Sequence, residues 1–159
     1  MLIDIRWLDA KIRVRVTDQE GGRRMKVQFD PSIIGKSLPE EYHVHEDFKI
    51  FRYAELKKTD KKPEAWFIVK FTLKHMDVKK NRYFSLLPML ALIHFKGFYS
   101  KYWLMNEKTN TCMGVYRWKT RLDAERYAKS IAMKFMTKRS IPDSVKYEIG
   151  EGEQPICAF

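Results

Sequence analysis

Two aromatic-rich segments on either side of a short polar loop constrain the fold of this chain more than any other feature. Residues 97–118 read GFYSKYWLMNEKTNTCMGVYRW, and the loop at 106–110 divides them into two halves of strand length. Because side chains alternate between the two sides of an extended chain, Tyr116 and Trp118 share one face. The pattern predicts a β-hairpin whose antiparallel strands are 98–105 and 112–118.

The segments around this hairpin predict one α+β unit. In chain order they are a strand at 67–74, a helix at 78–95 with an interruption at Pro88, the hairpin, a helix at 123–135, and a strand at 145–149. Thr120 or Asp123 is the expected N-cap of the second helix. The order β-α-β-β-α-β predicts a ferredoxin-like fold with an antiparallel sheet.

The first third of the chain has a different pattern. Residues 11–16, 24–29 and 48–53 each alternate apolar with polar side chains, which predicts strands. A polar, basic connector at 57–63 follows and is the expected boundary. We therefore predict an N-terminal, mainly β extension with its basic linker at 1–60, a ferredoxin-like domain at 65–150, and a tail at 151–159.

Both faces of the predicted hairpin carry large apolar side chains. Alternation gives one face Phe98, Tyr102 and Leu104, and the other face Tyr99, Trp103 and Met105. Two helices on one side of a sheet leave the other face bare, and a large exposed apolar surface usually marks an interface. A symmetric homodimer that packs two sheets face to face is the expected cover. The N-terminal segment of the same chain is the alternative.

The composition bears on partners and compartment. Lys and Arg total 31 against 20 Asp and Glu, and this net charge of +11 favours contact with polyanions, although solvated basic faces have the same composition. The charged N-terminus has no signal-peptide apolar region, and the longest apolar run, 86–93, is too short to cross a bilayer. The sequence therefore predicts a cytoplasmic protein with no membrane partner.

Neither the cysteines nor the histidines predict a metal centre. Cys112 and Cys157 have no C-x-x-C spacing and no nearby histidine pair, which argues against a disulfide scaffold and a zinc site. His43 and His45 lie among carboxylates as metal ligands do, but a polar loop between strands has the same composition and spacing fixes no third ligand. We predict no metal and no cofactor.

Three segments carry a likeness to a known family: GFYSKYWL at 97–104, GVYRW at 114–118 and DAERY at 123–127. Through them the chain resembles the dimeric α/β-barrel superfamily, over residues 65–149. Within that superfamily it is most similar to small monooxygenases related to antibiotic-biosynthesis monooxygenases. The resemblance implies a homodimer with one cavity per protomer, between the sheet and its helices. It also implies oxidoreductase chemistry on phenolic substrates without metal or flavin.

Two positions modify what the resemblance implies. Trp118 matches a tryptophan that helps to hold the substrate in some relatives, but Gly114 stands where those relatives carry an asparagine. This departure argues against an unchanged oxygenase mechanism. Haem-degrading relatives use a histidine on the second helix, and residues 119–139 contain none, which argues against haem degradation.

The candidate ligand site is an aromatic pocket. Gly114, Tyr116 and Trp118 share a strand face, and Tyr127 on the second helix is placed to close over them. The predicted ligand-binding set is completed by two residues of the first hairpin strand, Tyr102 and Trp103. The alternative interpretation is that these rings are ordinary core.

The candidate catalytic residues are His94 and Tyr127. His94 lies on the apolar face of the first predicted helix, where a histidine could remove the proton of a phenol at neutral pH, and Tyr127 would orient the ligand. A lone histidine on such a face is more often a core residue, and His75 is a weaker candidate for the same role.

Two function classes follow from the sequence. The first is a protein that binds a small aromatic or apolar ligand, with the chemistry of a cofactor-independent monooxygenase. The second is a module for RNA or another polyanion, in which Phe98, Tyr99 and Trp103 would stack bases beside the basic surface. The segment at 96–99 begins like an RNP1 motif but diverges at Ser100, so the small-ligand function is preferred.

Overall fold

The computed structural model describes residues 3–8, 11–17, 24–28, 31–42, 44, 47–57, 62–74, 91–92 and 94–152 of the 159-residue chain. Its strands are β1 (Ile3–Leu8), β2 (Lys11–Thr17), β3 (Arg24–Gln28), β4 (Lys49–Lys57), β5 (Ala65–Thr72), β6 (Phe98–Asn106), β7 (Thr111–Trp118) and β8 (Lys146–Glu151). The described helices are α1 (Arg121–Ala128), α2 (Ile131–Lys138) and two 3-10 turns, Pro31–Ile33 and Glu40–Tyr42. The strands form one sheet in the order β1-β2-β3-β4-β6-β7-β5-β8.

Strands β5 to β8 form the ferredoxin-like part of this sheet. Their order is β6-β7-β5-β8, and every neighbouring pair is antiparallel. The two described helices connect β7 to β8. This arrangement confirms the predicted α+β fold and the predicted hairpin, in which β6 and β7 are antiparallel neighbours.

Two asparagines build the turn of this hairpin. The Asn106 side-chain oxygen accepts hydrogen bonds from the backbone N–H groups of Lys108, at 3.0 Å, and of Thr109, at 3.2 Å. Asn110 has a φ of 55°, a left-handed conformation that asparagine tolerates better than most residues. The polar sequence of the loop therefore supplies both the hydrogen bonds and the backbone geometry that the reversal requires.

The N-terminal segment extends the sheet. Strand β4 pairs antiparallel with β6, for example Tyr53 with Tyr102 and Glu55 with Ser100, and β1 to β3 continue the sheet as a meander beyond it. The three runs predicted as strands in this segment correspond to β2, β3 and β4. Because β4 bonds to β6, the sheet runs without a break from the extension into the ferredoxin-like unit.

The second predicted helix is two helices. Thr120 caps α1 by accepting a hydrogen bond from the Asp123 N–H at 3.2 Å, and Ser130 caps α2 by accepting one from the Met133 N–H at 3.3 Å. The break corrects the single helix predicted over 123–135, because the second cap starts a new helix. Ile131 and Phe135, two apolar residues of α2, are 84% and 54% exposed.

The first predicted helix, 78–95, lies mostly outside the described residues. Ala91 and Leu92 are helical, and residues 94–97 form turns that lead into β6. Leu92 is buried in the main core, so this end of the predicted helix packs against the sheet.

The sheet has a core on each side. We call the first side the helix-side face: its strand residues Ala54, Phe67, Val69, Trp103, Tyr116 and Trp118 pack with Leu92, Ala124, Tyr127 and Met133. The other side is the opposite face, where Ile50, Ile68, Leu104, Met113 and Val115 pack with Tyr42 and Phe48. Ile33, Leu38 and Val44 also pack on this second core.

The observed faces differ from the sequence expectation in two ways. A register shift between Phe98 and Ser100 places Phe98 in the helix-side core with Trp103, whereas strict alternation had assigned these residues to different faces. Ile33, Leu38, Tyr42, Val44 and Phe48 pack on the opposite face, so residues of the same chain lie on the surface for which a second subunit was expected. The homodimer itself stays a prediction.

Candidate functional site

Three of the predicted site residues meet beneath α1. The hydroxyls of Tyr116 and Tyr127 are hydrogen-bonded at 2.9 Å. The Trp118 ring lies 5.1 Å from the Tyr127 ring and 6.3 Å from the Tyr116 ring, measured between centroids, and is 0% exposed. Alternation along β7 and one turn of α1 are sufficient to bring these rings together, as the sequence predicted.

Close packing of α1 on the start of β6 fixes Tyr127 over the strand. Gly97 has a φ of 77°, and any side chain at this position would collide with the carboxylate of Asp123 in the first turn of α1. Thr120 holds the same carboxylate by donating its hydroxyl to Asp123 Oδ2 at 2.8 Å. Gly97 and the N-cap residue Thr120 together fix the position of Tyr127 over Trp118.

The indole of Trp118 presents a buried donor. Within the described part of the chain, Trp118 Nε1 is buried and has no hydrogen-bond acceptor. A buried polar group left in this state costs about 1–3 kcal/mol. An oxygen that reached the helix-side face beside Trp118 would recover this free energy, which makes the indole N–H the natural point of attachment for a polar atom of a ligand.

The two tyrosine hydroxyls stay protonated in this environment. Burial raises the pKa of Tyr116 well above its usual value, and its hydrogen-bonded neighbour Tyr127 adds to the effect. Burial also raises the pKa of Tyr127 to about 12, although the hydrogen bond from Tyr116 acts in the other direction. Both hydroxyls therefore keep their protons at neutral pH, so they can orient a ligand but cannot serve as bases.

A lysine that the sequence analysis did not single out joins this cluster. Lys101 is 6% exposed, and its Nζ lies 4.2 Å from the ring centroid of Trp103 and 4.2 Å from that of Tyr116. It pairs with Tyr116 across the hairpin and so shares the helix-side face. Alternation could have found it, because Lys101 and Trp103 are two residues apart on an aromatic strand.

Gly114 makes room for this arrangement. A Cβ at this position would lie 2.7 Å from Tyr116 Cε2 and 3.3 Å from Lys101 Cε. The first distance is shorter than a carbon–carbon contact allows. The space that an asparagine side chain would need is therefore filled by the Tyr116 ring and the Lys101 stem, which accounts for glycine at this position.

The charge state of Lys101 follows from its surroundings. Burial lowers the pKa of its ammonium well below the usual value, the nearby Arg52 guanidinium lowers it further, and the Cys112 thiol acts weakly in the other direction. Each aromatic face favours the ammonium by about 0.5–2 kcal/mol. Withdrawing an ammonium from water costs several kcal/mol, so burial prevails. The amine of Lys101 therefore loses its proton more readily than the amine of an exposed lysine does.

Two predicted site residues lie elsewhere. Tyr102 is on the opposite face, with ring centroids 6.0 Å from Tyr42 and 4.5 Å from Tyr53, and burial raises its pKa. His94 is exposed in the turn before β6. Its neighbour Phe95 contacts the Tyr127 ring at a centroid distance of 5.2 Å. The residues that share the helix-side face are Trp103, Gly114, Tyr116, Trp118 and Tyr127.

The described residues contain no group of three or more histidines, cysteines or acidic side chains that could hold a metal ion. His43 and His45, weighed above as ligands, lie outside those residues. None of the described helices has the length and apolar character needed to cross a membrane.

Comparison with known proteins supports the fold. No family model matches the chain, and neither does any curated protein. Among solved structures, the chain is similar to an uncharacterized ferredoxin-fold protein from Listeria monocytogenes that is related to antibiotic biosynthesis monooxygenases. The match has a TM-score of 0.52 and 9% sequence identity, and it covers 68% of this chain and 67% of that protein. At this identity the likeness defines the class as a ferredoxin-fold α+β protein.

Proposed function

We propose that the protein binds a small, planar, largely apolar ligand on the helix-side face of the sheet, beside Trp118. The observation that carries this proposal is the buried Trp118 Nε1, which has no acceptor among the described residues and lies against the rings of Tyr116 and Tyr127. A phenol or quinone offers both an aromatic surface and an oxygen acceptor. Apolar walls with a few buried donors are the usual composition of such sites.

The chemistry proposed for this site is that of a cofactor-independent monooxygenase, as in the family that the chain resembles. Such a reaction needs a base for the phenol proton. The raised pKa values of Tyr116 and Tyr127 exclude the two tyrosines at neutral pH. His94, exposed in the turn before β6, is proposed for this role because its neighbour Phe95 contacts the Tyr127 ring, and Tyr127 is proposed to orient the ligand.

Matched ligands test the binding proposal. Isothermal titration with 1-naphthol and naphthalene compares a ligand that has an oxygen with one that lacks it. Trp118→Phe keeps an aromatic ring at this position but removes the indole N–H, so we expect 1-naphthol to bind about 2- to 10-fold more weakly and naphthalene to be affected less. Trp66→Phe is the control, because Trp66 packs on the opposite face. Equal effects of the two substitutions would refute the site.

The oxidoreductase step has its own readout. Oxygen uptake with a panel of planar phenols should be detectable in the native protein, and His94→Gln should abolish the uptake while ligand binding persists. Uptake that is unaffected by this substitution would remove His94 from the proposal. Binding without any uptake across the panel would reduce the function to ligand binding.

The salt dependence of the binding affinity distinguishes small-ligand binding from polyanion binding. Phe98 and Trp103, two of the three rings considered for base stacking, are buried in the helix-side core. An enclosed apolar pocket should respond weakly to salt, whereas polyanion binding weakens steeply through counterion release. Tryptophan quenching by a short oligonucleotide alone, and its loss at high salt, would favour the second function.

A further inference from the structure

The interior of the helix-side face contains a nucleophile that the proposed binding site does not use. Lys101 is buried, and its Nζ faces the rings of Trp103 and Tyr116 at 4.2 Å from each centroid. A lysine whose only role was to solubilise the sheet would carry its ammonium to the surface at the end of its flexible stem. Lys101 instead keeps its ammonium against the rings of Trp103 and Tyr116.

We propose that Lys101 is a nucleophilic lysine that condenses with a small apolar or aromatic aldehyde or ketone to form an imine. The proposal goes beyond ligand binding at Trp118 and does not depend on it. It adds an activity, capture of a carbonyl compound, that needs only the helix-side cluster of Lys101, Arg52, Trp103, Gly114 and Tyr116.

The cluster contains two features that activate a lysine. The first is withdrawal of the amine from water into apolar surroundings, and the second is a neighbouring cation. Lys101 has both, because the rings of Trp103 and Tyr116 enclose it and Arg52 is near enough to disfavour its protonation. Burial and Arg52 lower its pKa, so more of the nucleophilic amine is present at neutral pH than for an exposed lysine.

The surroundings also select the carbonyl compound. Trp103 and Tyr116 present ring faces, and the neighbouring core residues Ala54 and Val69 are apolar. A ring-bearing or short aliphatic carbonyl compound matches these walls. A hydrated, highly polar sugar aldehyde does not, because its hydroxyls would lose their water without gaining partners.

The condensation is balanced and redox-neutral. The lone pair of Lys101 Nζ attacks the carbonyl carbon and forms a carbon–nitrogen bond, giving a carbinolamine. The carbon–oxygen bond then breaks, and the two hydrogens of the amine leave with that oxygen as one water. The product is an imine that needs no oxidant, reductant or metal to form.

Reductive trapping tests the proposal. The full-length protein is incubated near neutral pH with benzaldehyde and cyanoborohydride, which reduces the imine and makes the adduct permanent, and peptide mass spectrometry then locates each N-benzyl group. We expect Lys101 to be labelled at least about 10-fold faster than Lys108, since an exposed lysine has only about one part in 2,500 as free amine at pH 7. Lys108 is a suitable internal reference, because its bond to Asp47 at 2.7 Å raises its pKa.

Substitutions test whether the fast benzaldehyde adduct forms at Lys101. Lys101→Met and Lys101→Arg should abolish the fast adduct, whereas Lys108→Arg should leave it unchanged. If neither Lys101 variant folds, the native protein suffices: the labelling rate at Lys101 should reach its plateau at a lower pH than the rate at Lys108. Equal labelling of the two lysines, or a fast adduct that survives in a folded Lys101→Met variant, would overturn the proposal. Loss of 1-naphthol binding at Trp118 would leave it standing.

Discussion

At the scale of single residues, Gly114 sets the spacing of the helix-side site. Its missing side chain leaves the volume in which the Tyr116 ring and the Lys101 stem lie. The ring in turn brings the Tyr116 hydroxyl to Tyr127. The absence of a side chain at Gly114 thus determines where the Tyr116 ring, the Tyr116 hydroxyl and the Lys101 amine lie.

Replacing this glycine should disturb all of these contacts. In Gly114→Ala the new methyl group would lie 2.7 Å from Tyr116 Cε2, so the ring or the strand must shift. We expect a loss of about 1–3 kcal/mol in the free energy of unfolding, measured by urea denaturation. A double variant that adds Tyr116→Leu should lose less than the sum of the two single losses. Strict additivity would contradict the contact.

The pKa of Tyr127 predicts a pH dependence of stability. Tyr127 has a pKa of about 12 in the folded chain and about 10 when unfolded, so the unfolded state releases this proton first. The stability that the neutral hydroxyl contributes is complete below pH 10 and is lost as the pH rises through 12. Between pH 9 and pH 11, Tyr127→Phe should lose about 1–2 kcal/mol less stability than the native chain. Parallel unfolding curves would contradict this.

Residue by residue, alternation along β7 and helical spacing were enough to predict that Tyr116, Trp118 and Tyr127 meet. The same rule failed for Tyr102, which was grouped with Trp103 although adjacent strand residues face opposite sides. Lys101 was missed because lysine is usually exposed: alternation places it on the same face as Trp103, but its burial is seen only in the folded chain. The burial of a polar residue depends on the elements packed above it, which spacing alone does not give.

At the scale of elements, the segment from Ile33 to Phe48 is the least expected part of the molecule. The regular structure among its described residues is limited to short 3-10 turns, yet Tyr42 and Phe48 are buried against Leu104, Met113 and Val115. The sequence predicted that this face needed a cover and left two candidates for it. It could not choose between them, because irregular segments have no periodicity that marks the side they bury.

Truncation of Phe48 should weaken the packing of this segment on the sheet. Phe48 is 1% exposed, so Phe48→Ala should lower the free energy of unfolding by about 3–5 kcal/mol. Ile34→Ala is the matched control on the same segment, because Ile34 is exposed and its truncation should change stability by less than about 0.5 kcal/mol. Similar losses in the two variants would show that the segment does not pack as described.

The break between α1 and α2 is a second feature that the spacing of apolar residues did not predict. Ser130 resembles any polar surface residue in the sequence, but its side chain accepts from the Met133 N–H and begins a new helix. A continuous stripe and two capped helices share nearly the same spacing of apolar residues. The cap alone distinguishes them, and serine also occurs within helices.

At the scale of the whole molecule, we propose the homodimer that the family resemblance implies. Light scattering at micromolar concentration should then give twice the chain mass of 19.1 kDa. Since residues between Ile33 and Phe48 occupy the opposite face, the two sheets cannot pack there directly. A monomeric mass would refute the dimer and assign the covering of that face to this segment alone.

The strand order has a consequence for how the chain folds. The β6–β7 hairpin closes over a short turn, whereas β5 must find β8 and β4 must find β6 across many intervening residues. Pairings distant in the chain require loop closure before they bring any gain, which slows folding to the millisecond-to-second range. Pulsed hydrogen exchange should therefore protect the amides of the hairpin first. The strand pair that carries Lys101, Gly114 and Tyr116 would then be the template on which the rest of the sheet assembles.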